Sequence, residues 1–188
     1  MYFDGDRFLF DRLRRFYDFR QKRREREKNG KVIVVYFSFT GNTKGVAEKI
    51  AQSLACDVTG IEPKTPYTDS DLNYNDGNSR ANNEQNDDSA RPAIGNAIEN
   101  LDDYSTIFVG FPIWWGKMPK IMYTFFESYD LSGKTIIPFC TSGGSGISTS
   151  VDEIKSLAKD STVENGKRFS ESASQKEVDN WIKSLKII

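Results

Sequence analysis

The sequence contains no histidine among its 188 residues. A chain without histidine cannot form a Ser-His-Asp triad, an imidazole general base or a metal site with histidine ligands. It has two cysteines, Cys56 and Cys140, and they form no Cys-x-x-Cys pair. We expect both to be reduced, buried thiols of a cytosolic protein, because such proteins rarely hold disulfides.

Long apolar runs are also missing. None approaches the roughly 20 residues that a membrane-spanning helix needs, and the mean hydropathy of -0.58 is that of a polar chain. The first residues are charged and lack the apolar core of a secretory signal. With its 188 residues the chain suits a single domain, and we predict a cytoplasmic location.

The charges are distributed unevenly. Residues 1–29 carry ten Lys or Arg and six Asp or Glu, a net charge of +4, whereas the rest of the chain carries -5. We therefore separate a basic, aromatic N-terminal extension, 1–30, from a domain, 31–188. Apolar residues at helical spacing favour a helix that docks on the acidic body, or a frayed extension. A membrane-surface or partner helix is the alternative, which Asp11 and Asp18 weaken. Nucleic-acid binding is not predicted, because short basic runs are typical of solvated helix faces.

From residue 31 onward, buried-strand patterns alternate with helical spacing. The predicted strands are 31–37, 56–61, 106–111, 135–140 and a weak strand within 161–169. The predicted helices are 43–54, capped by Asn42 or Thr43, then 94–101, opened by Pro92, and 119–126, 149–158 and 178–185. This alternation implies parallel pairing with right-handed crossovers, and so an α/β three-layer sandwich with a five-stranded sheet. Residues 67–92, poor in apolar groups, are predicted to be a polar insert or long loop.

Three stretches of small polar residues or glycine, 38–43, 111–118 and 141–146, fall where predicted strands end. In parallel sheets ligands bind beyond these carboxyl ends. In the first stretch, hydroxyl groups, Gly41 and a helix N-terminus together favour an anion site, although an ordinary turn with a Thr cap is the alternative. The nucleotide-binding P-loop pattern is absent, which favours a phosphate monoester that is bound and kept.

These stretches resemble the flavodoxin family. Ser38-Phe39-Thr40-Gly41-Asn42-Thr43 is similar to its [ST]-x-T-G-x-T phosphate loop. FVGFPIWWGKMP (108–119) and IIPFCTSGGSG (136–146) resemble the two flavin-ring loops of a subfamily whose long insert is also similar to residues 67–94. The resemblance covers residue 31 to about residue 188 and implies noncovalently bound FMN and the strand order 2-1-3-4-5.

The resemblance implies a set of cofactor-binding residues. They are Ser38, Thr40, Gly41, Asn42 and Thr43 at the phosphate, Pro112, Ile113, Trp114, Trp115 and Gly116 in the first ring loop, and Thr141, Ser142, Gly143, Gly144 and Gly146 in the second. One tryptophan is expected to contact the flavin, although one of a pair usually belongs to the core. Gly116 matches the residue whose peptide flips on one-electron reduction. The second loop would donate backbone N–H groups to the pyrimidine edge, unless its glycines only make it flexible.

The sequence departs from better-known flavodoxins in two ways. Lys117 stands beside the first ring loop where acidic residues are frequent, which would make the second reduction easier. The second ring loop has no aromatic residue, so the outer flavin face is either open or covered by Tyr67 or Tyr74 of the insert. An open face would favour direct hydride transfer to or from a small substrate.

Two functions follow from the resemblance. The first is an electron carrier whose acidic body docks on basic redox partner proteins, or which delivers electrons to a small-molecule acceptor. The second is an NAD(P)H-dependent quinone or nitro reductase. A response-regulator receiver is excluded, because the first predicted strand ends in Tyr36-Phe37-Ser38 and lacks the acidic pair that such a domain requires.

Overall fold

A computed structural model describes residues 30–185, and the predictions for residues 1–29 lie outside the described residues. The strands are β1 (Lys31–Tyr36), β2 (Asp57–Gly60), β3 (Tyr104–Pro112), β4 (Thr135–Thr141), β5 (Thr162–Val163) and β6 (Lys167–Phe169). The helices are α1 (Asn42–Leu54), α2 (Arg80–Asn86), α3 (Lys120–Ser128), α4 (Ser148–Leu157) and α5 (Gln175–Ser184).

All the strands pair in parallel, in the order β2-β1-β3-β4-β5, which confirms the predicted sheet order. The weak last strand is divided in two. Thr162 pairs with the start of β4, and Phe169 pairs with its end. Gly166, at φ +71°, lies between the two pieces and breaks the ladder.

Apolar layers cover both faces of the sheet, as the three-layer prediction requires. On one face α1 and α5 pack on β-branched and aromatic residues such as Val34 and Phe108. On the other, α3 and α4 pack on Ile107 and Val109. None of the helices within residues 30–185 has both the length and the apolar character needed to cross a bilayer.

The predicted helix 94–101 is wrong. Ile94 instead forms an antiparallel bridge with Pro63. The N–H of Gly95 donates to the carbonyl of Glu62 at 2.7 Å, and the N–H of Lys64 donates to the carbonyl of Ala93 at 2.8 Å. The segment satisfies its backbone groups against a neighbour rather than within itself, and only a 3₁₀ turn, Leu101–Asp103, follows.

The polar insert is more ordered than its composition predicts. It contains a 3₁₀ turn, Ser70–Leu72, and helix α2. The buried face of α2 consists of Ala81 and Gln85, at 0% and 3% exposure. Because neither residue is strongly apolar, the usual periodic signal of an amphipathic helix is absent from the sequence.

Neither cysteine forms a disulfide, as predicted, but the predicted burial is correct for Cys140 only. Cys140 is fully buried on β4, and burial raises the pKa of its thiol to about 12. Cys56, just before β2, is only half-buried, because this strand lies at the edge of the sheet.

Candidate functional site

The loop between β1 and α1 forms a tight turn around Gly41. Gly41, at φ +89°, is the residue that caps α1, so the predicted Asn42 or Thr43 cap is wrong. Both residues lie inside the helix, because the left-handed backbone that starts it is accessible mainly to glycine. The hydroxyl of Ser38 accepts a hydrogen bond from the Gly41 N–H at 3.1 Å and closes the turn.

This turn leaves backbone donors available. The N–H groups of Thr40, Asn42 and Thr43 donate to no other residue within 30–185. The first turn of α1 contains no acidic side chain, so the positive end of the helix dipole is not neutralised there. Free backbone donors at the positive end of a helix are the chemistry that an anion site requires.

Hydrogen bonds join the three predicted stretches at one rim of the sheet. The hydroxyls of Thr43 and Thr141 lie 2.7 Å apart, and both side chains are buried. The N–H of Ile113 donates to the carbonyl of Thr141 at 3.1 Å. Thr43 and Thr141 therefore hold the first and third stretches together, and Ile113 fastens the second to the third.

The first ring loop is a two-residue turn closed by Trp114 and Lys117. The Trp114 N–H donates to the Lys117 carbonyl at 2.9 Å, and the Lys117 N–H donates to the Trp114 carbonyl at 3.2 Å. Between them Trp115 lies at φ +47° and Gly116 at φ +84°. Two successive positive φ angles define a type I′ turn, and a tryptophan at the first of them is strained.

The two tryptophans have different surroundings. The Trp114 indole is 5% exposed and packs edge-on against Phe37 and Tyr67, at centroid distances of 5.5 and 5.2 Å. The Trp115 indole is half-buried and stacks on Tyr74, with centroids 4.2 Å apart and planes at 25°. Pro112 and Ile113, at the start of the loop, are half-buried.

The two tyrosines named for the outer face also differ. Tyr67 is buried, and its hydroxyl donates to Glu84 at 2.6 Å. Burial and this carboxylate raise the pKa of Tyr67. Tyr74 is 59% exposed and lies against the first ring loop. Of the two tyrosines, Tyr74 is the one placed to reach a ligand at the rim.

The second ring loop is fixed at its base and open at its tip. The N–H of Ser142 donates to the carbonyl of Phe169 at 3.1 Å, and a guanidinium N–H of Arg168 donates to the Ser142 carbonyl at 3.0 Å. The Ser142 hydroxyl accepts from the Gly144 N–H at 3.1 Å. The N–H groups of Gly143 and Gly146 have no acceptor within the described part of the chain.

One polar residue at this rim is absent from the predicted set. Gln85 of α2 donates its side-chain amide to the carbonyls of Trp114 and Met118, at 3.0 and 3.2 Å. Its side-chain oxygen accepts from the Lys120 N–H at 3.1 Å. Sequence patterns could not find it, since glutamine in a polar stretch resembles any exposed residue.

Three charged side chains lie near the first ring loop, those of Lys117, Lys120 and Asp88. The Asp88 carboxylate lies 4.0 Å from the Lys117 ammonium and 3.3 Å from that of Lys120. The Lys120 side chain is 1% exposed, and its ammonium lies 4.6 Å from the centre of the Tyr123 ring. The insert, which contains Asp88, therefore neutralises part of the positive charge near this loop.

A cavity of about 500 Å³ lies between α3 and α4. Its walls include Lys120, Tyr123 and Glu153. None of the predicted cofactor-binding residues lines it. We therefore place the candidate site at the three loops of the rim and not in this cavity.

Comparison with protein families gives a match to the flavodoxin model over residues 31–185. No protein of curated function matches the chain.

Among solved structures, the chain is similar to a protein of Bacteroides uniformis designated a flavoprotein. The two share 40% identity over 82% of this chain and 98% of that one, with a TM-score of 0.79. A second such protein, from Bacteroides eggerthii, shares 38% identity over 82% of this chain and 97% of its own, with a TM-score of 0.76. A flavoprotein from Lactobacillus acidophilus, solved in complex with FMN, shares the fold at 21% identity over 81% and 99% of the two chains, with a TM-score of 0.59.

Proposed function

The chain belongs to the flavodoxin family, and from this premise we propose that it binds FMN noncovalently and transfers electrons through it. FMN supplies the redox chemistry, because its ring accepts and releases electrons one or two at a time. In this proposal residues 31–188 form the cofactor-binding domain, and residues 1–30 form a separate basic extension.

The loops at the rim fit a phosphorylated, flat ligand. A Cβ added at Gly41, Gly116 or Gly143 would meet no atom within 4 Å, so the space in front of each loop is open. The phosphate of FMN would accept hydrogen bonds from the N–H groups of Thr40, Asn42 and Thr43 and face the positive end of α1. Gly143 and Gly146 would donate backbone N–H groups to the ring edge.

Trp115, rather than Trp114, is the indole that we expect to contact the flavin. The Trp114 ring is enclosed by core aromatic residues, whereas the Trp115 ring lies at the edge of the site. The contribution of Trp114 would come from its backbone, which closes the ring-loop turn.

The observation that carries the proposal is the direct hydrogen bonding among the three loops. Thr141 bonds both the phosphate loop, through Thr43, and the first ring loop, through Ile113. A single ligand that spans the loops would therefore meet donors whose relative positions are set before it binds. Such preorganisation lowers the entropic cost of binding.

Electron carriage is favoured over hydride transfer by the position of Tyr74. Hydride transfer requires a substrate to stack on the flavin, and Tyr74 lies at the ring loop where it would cover the outer face. The acidic body, with a net charge of -5 for residues 30–188, suits brief docking on a basic partner protein.

The test is a reductive titration of the purified protein followed by absorbance. We expect a yellow protein that passes through a stable one-electron-reduced form, as a carrier requires. A colourless protein that fails to quench the fluorescence of added FMN would refute the proposal.

The second candidate is an NAD(P)H-dependent quinone or nitro reductase. Lys117 and Lys120 lie near the first ring loop, and the carboxylate of Asp88 offsets one of their two positive charges. The remaining positive charge favours a reductase, because it stabilises the anionic two-electron-reduced flavin. Steady NAD(P)H consumption with a quinone and no added reductase would establish it. Absence of turnover by the FMN-loaded protein would leave electron carriage as the function.

A further inference from the structure

We propose that Gln85 is the positioning residue of the flavin site, because its side-chain amide holds the Trp114–Lys117 turn in place. The proposal rests on the proposed function, since the turn is expected to place Trp115 and Gly116 against the flavin ring. Gln85 itself would not touch the cofactor.

Gln85 uses both ends of its amide on the backbone of one short segment. Its two N–H donors bond the carbonyls of Trp114 and Met118, and its oxygen bonds the N–H of Lys120. The side chain is 3% exposed, so water cannot replace these bonds. The three contacts bracket the turn, with one at its first residue and two just beyond its end.

The turn requires such an external support. A bulky residue at positive φ is disfavoured, and Trp115 lies at φ +47°. The Trp114 carbonyl, which accepts the longer closing bond of 3.2 Å from Lys117, is the one that Gln85 also binds. Loss of the glutamine would therefore leave a strained turn with a weakly held closing bond.

Gln85 is itself held firmly by α2. Ala81, one helical turn earlier, is 0% exposed and packs in the core cluster. Arg80 forms an ion pair with Glu84 at 2.7 Å, and Glu84 in turn accepts from the hydroxyl of buried Tyr67. The insert thus provides a rigid platform from which one amide reaches the ring loop.

The test compares Gln85→Met with Gln175→Met. Gln175 of α5 is a matched control, because its side-chain amide also forms three hydrogen bonds, to Lys49, Ser53 and Asp179. It lies in the opposite helical layer from the ring loops. Both variants should lose stability, but only Gln85→Met should alter the ring loop.

The first measurement is hydrogen exchange in the protein without FMN. We expect the Trp114 and Lys117 amides to exchange about tenfold faster in Gln85→Met than in Gln175→Met, relative to the stability of each variant. The second measurement is the affinity and the reduction potentials of bound FMN. The FMN dissociation constant should rise about tenfold in Gln85→Met, with a shift of at least one potential, and stay within about twofold in Gln175→Met.

Equal exchange rates and equal potentials in the two variants would overturn the positioning role. If the wild-type protein holds no FMN, the proposed function fails, and the exchange measurement still decides whether Gln85 holds the turn. Should Gln85→Met not fold, Gln85→Glu is the second variant. It keeps the shape and the acceptor for the Lys120 N–H, but it places a carboxylate against the Trp114 and Met118 carbonyls, and the same exchange and potential changes are expected.

Discussion

Trp114 and Trp115 are adjacent in the first ring loop, but their side chains lie in different surroundings. The Trp114 side chain fills the core beside Phe37 and Tyr67, and the Trp115 side chain lies outward beside Tyr74. The positive φ of Trp115 is what separates them, because it rotates the second side chain away from the direction of the first. In the proposed function this strain places the half-buried Trp115 indole at the edge of the site, where it would contact the flavin.

The first prediction concerns Tyr74, which we expect to cover the outer flavin face. Tyr74→Leu should weaken FMN binding by about twofold to tenfold, since an aromatic stack contributes roughly 0.5–1.5 kcal/mol beyond its buried area. Tyr74→Phe should bind like the wild type, because it keeps the ring. The measurement is quenching of FMN fluorescence on titration with each variant.

An increase in affinity for Tyr74→Leu would contradict this expectation. It would mean that Tyr74 competes with the flavin for the Trp115 face. The change in tryptophan emission of the protein without FMN reports separately whether the stack between Tyr74 and Trp115 has been lost.

At the scale of elements, the pairing of β3 with β4 sets the position of both ring loops. Gly110 lies directly opposite Phe139 in the register, two residues before β3 ends. A Cβ at Gly110 would overlap the Phe139 ring, which is itself fully buried under Trp181 of α5. The glycine therefore leaves room for the ring that joins the sheet to the α1–α5 layer.

The second prediction is that Gly110→Ala destabilises the protein by roughly 2–3 kcal/mol, because a buried aromatic ring must shift in a close-packed core. Gly77→Ala is the matched control. A Cβ at Gly77 would meet no atom within 4 Å, so its effect should stay within about 0.5 kcal/mol. Urea denaturation measures both, and equal midpoints would contradict the steric role of Gly110.

The elements also differ in how far the sequence predicted them. The central strands were predicted closely, because long runs such as 31–37 have few alternatives. The helix at 94–101 was predicted wrongly and α2 was missed. In both cases the deciding contacts come from elsewhere in the chain, the pairing of Ile94 with Pro63 and the packing of Ala81 in the core.

At the scale of the whole molecule, protonated tyrosine side chains connect elements that lie far apart in the sequence. The hydrogen bond from Tyr104 to Asp57 joins β3 to β2 and raises the pKa of Tyr104 to about 12. Burial raises the pKa of Tyr67 and that of Tyr123. The folded protein therefore keeps protons that the unfolded chain releases above its ordinary tyrosine pKa of about 10.

The third prediction follows from the sign of these shifts. The stabilisation is fully present below about pH 10, and it is lost as the pH rises toward about 12, because the unfolded state then binds fewer protons than the folded state. Denaturant unfolding at a series of pH values measures it. Tyr104→Phe should lose less stability over this interval than the wild type. A wild-type free energy of unfolding that stays constant from about pH 9 to about pH 12 would contradict the prediction.

The sequence by itself determined the alternation of strands and helices, the parallel pairing of the strands and the three polar stretches at the rim of the sheet, whereas the strand order was implied only by the resemblance to the flavodoxin family. These features depend on local patterns and on the fact that carboxyl ends of parallel strands meet at one edge. Only the tertiary structure decided which tryptophan lies in the core, that Gly41 and not Asn42 or Thr43 caps α1, and that Gln85 and Tyr74 of the polar insert contact the first ring loop. The physical reason is that packing and long-range hydrogen bonds join residues far apart in the chain, and no local pattern specifies such partners.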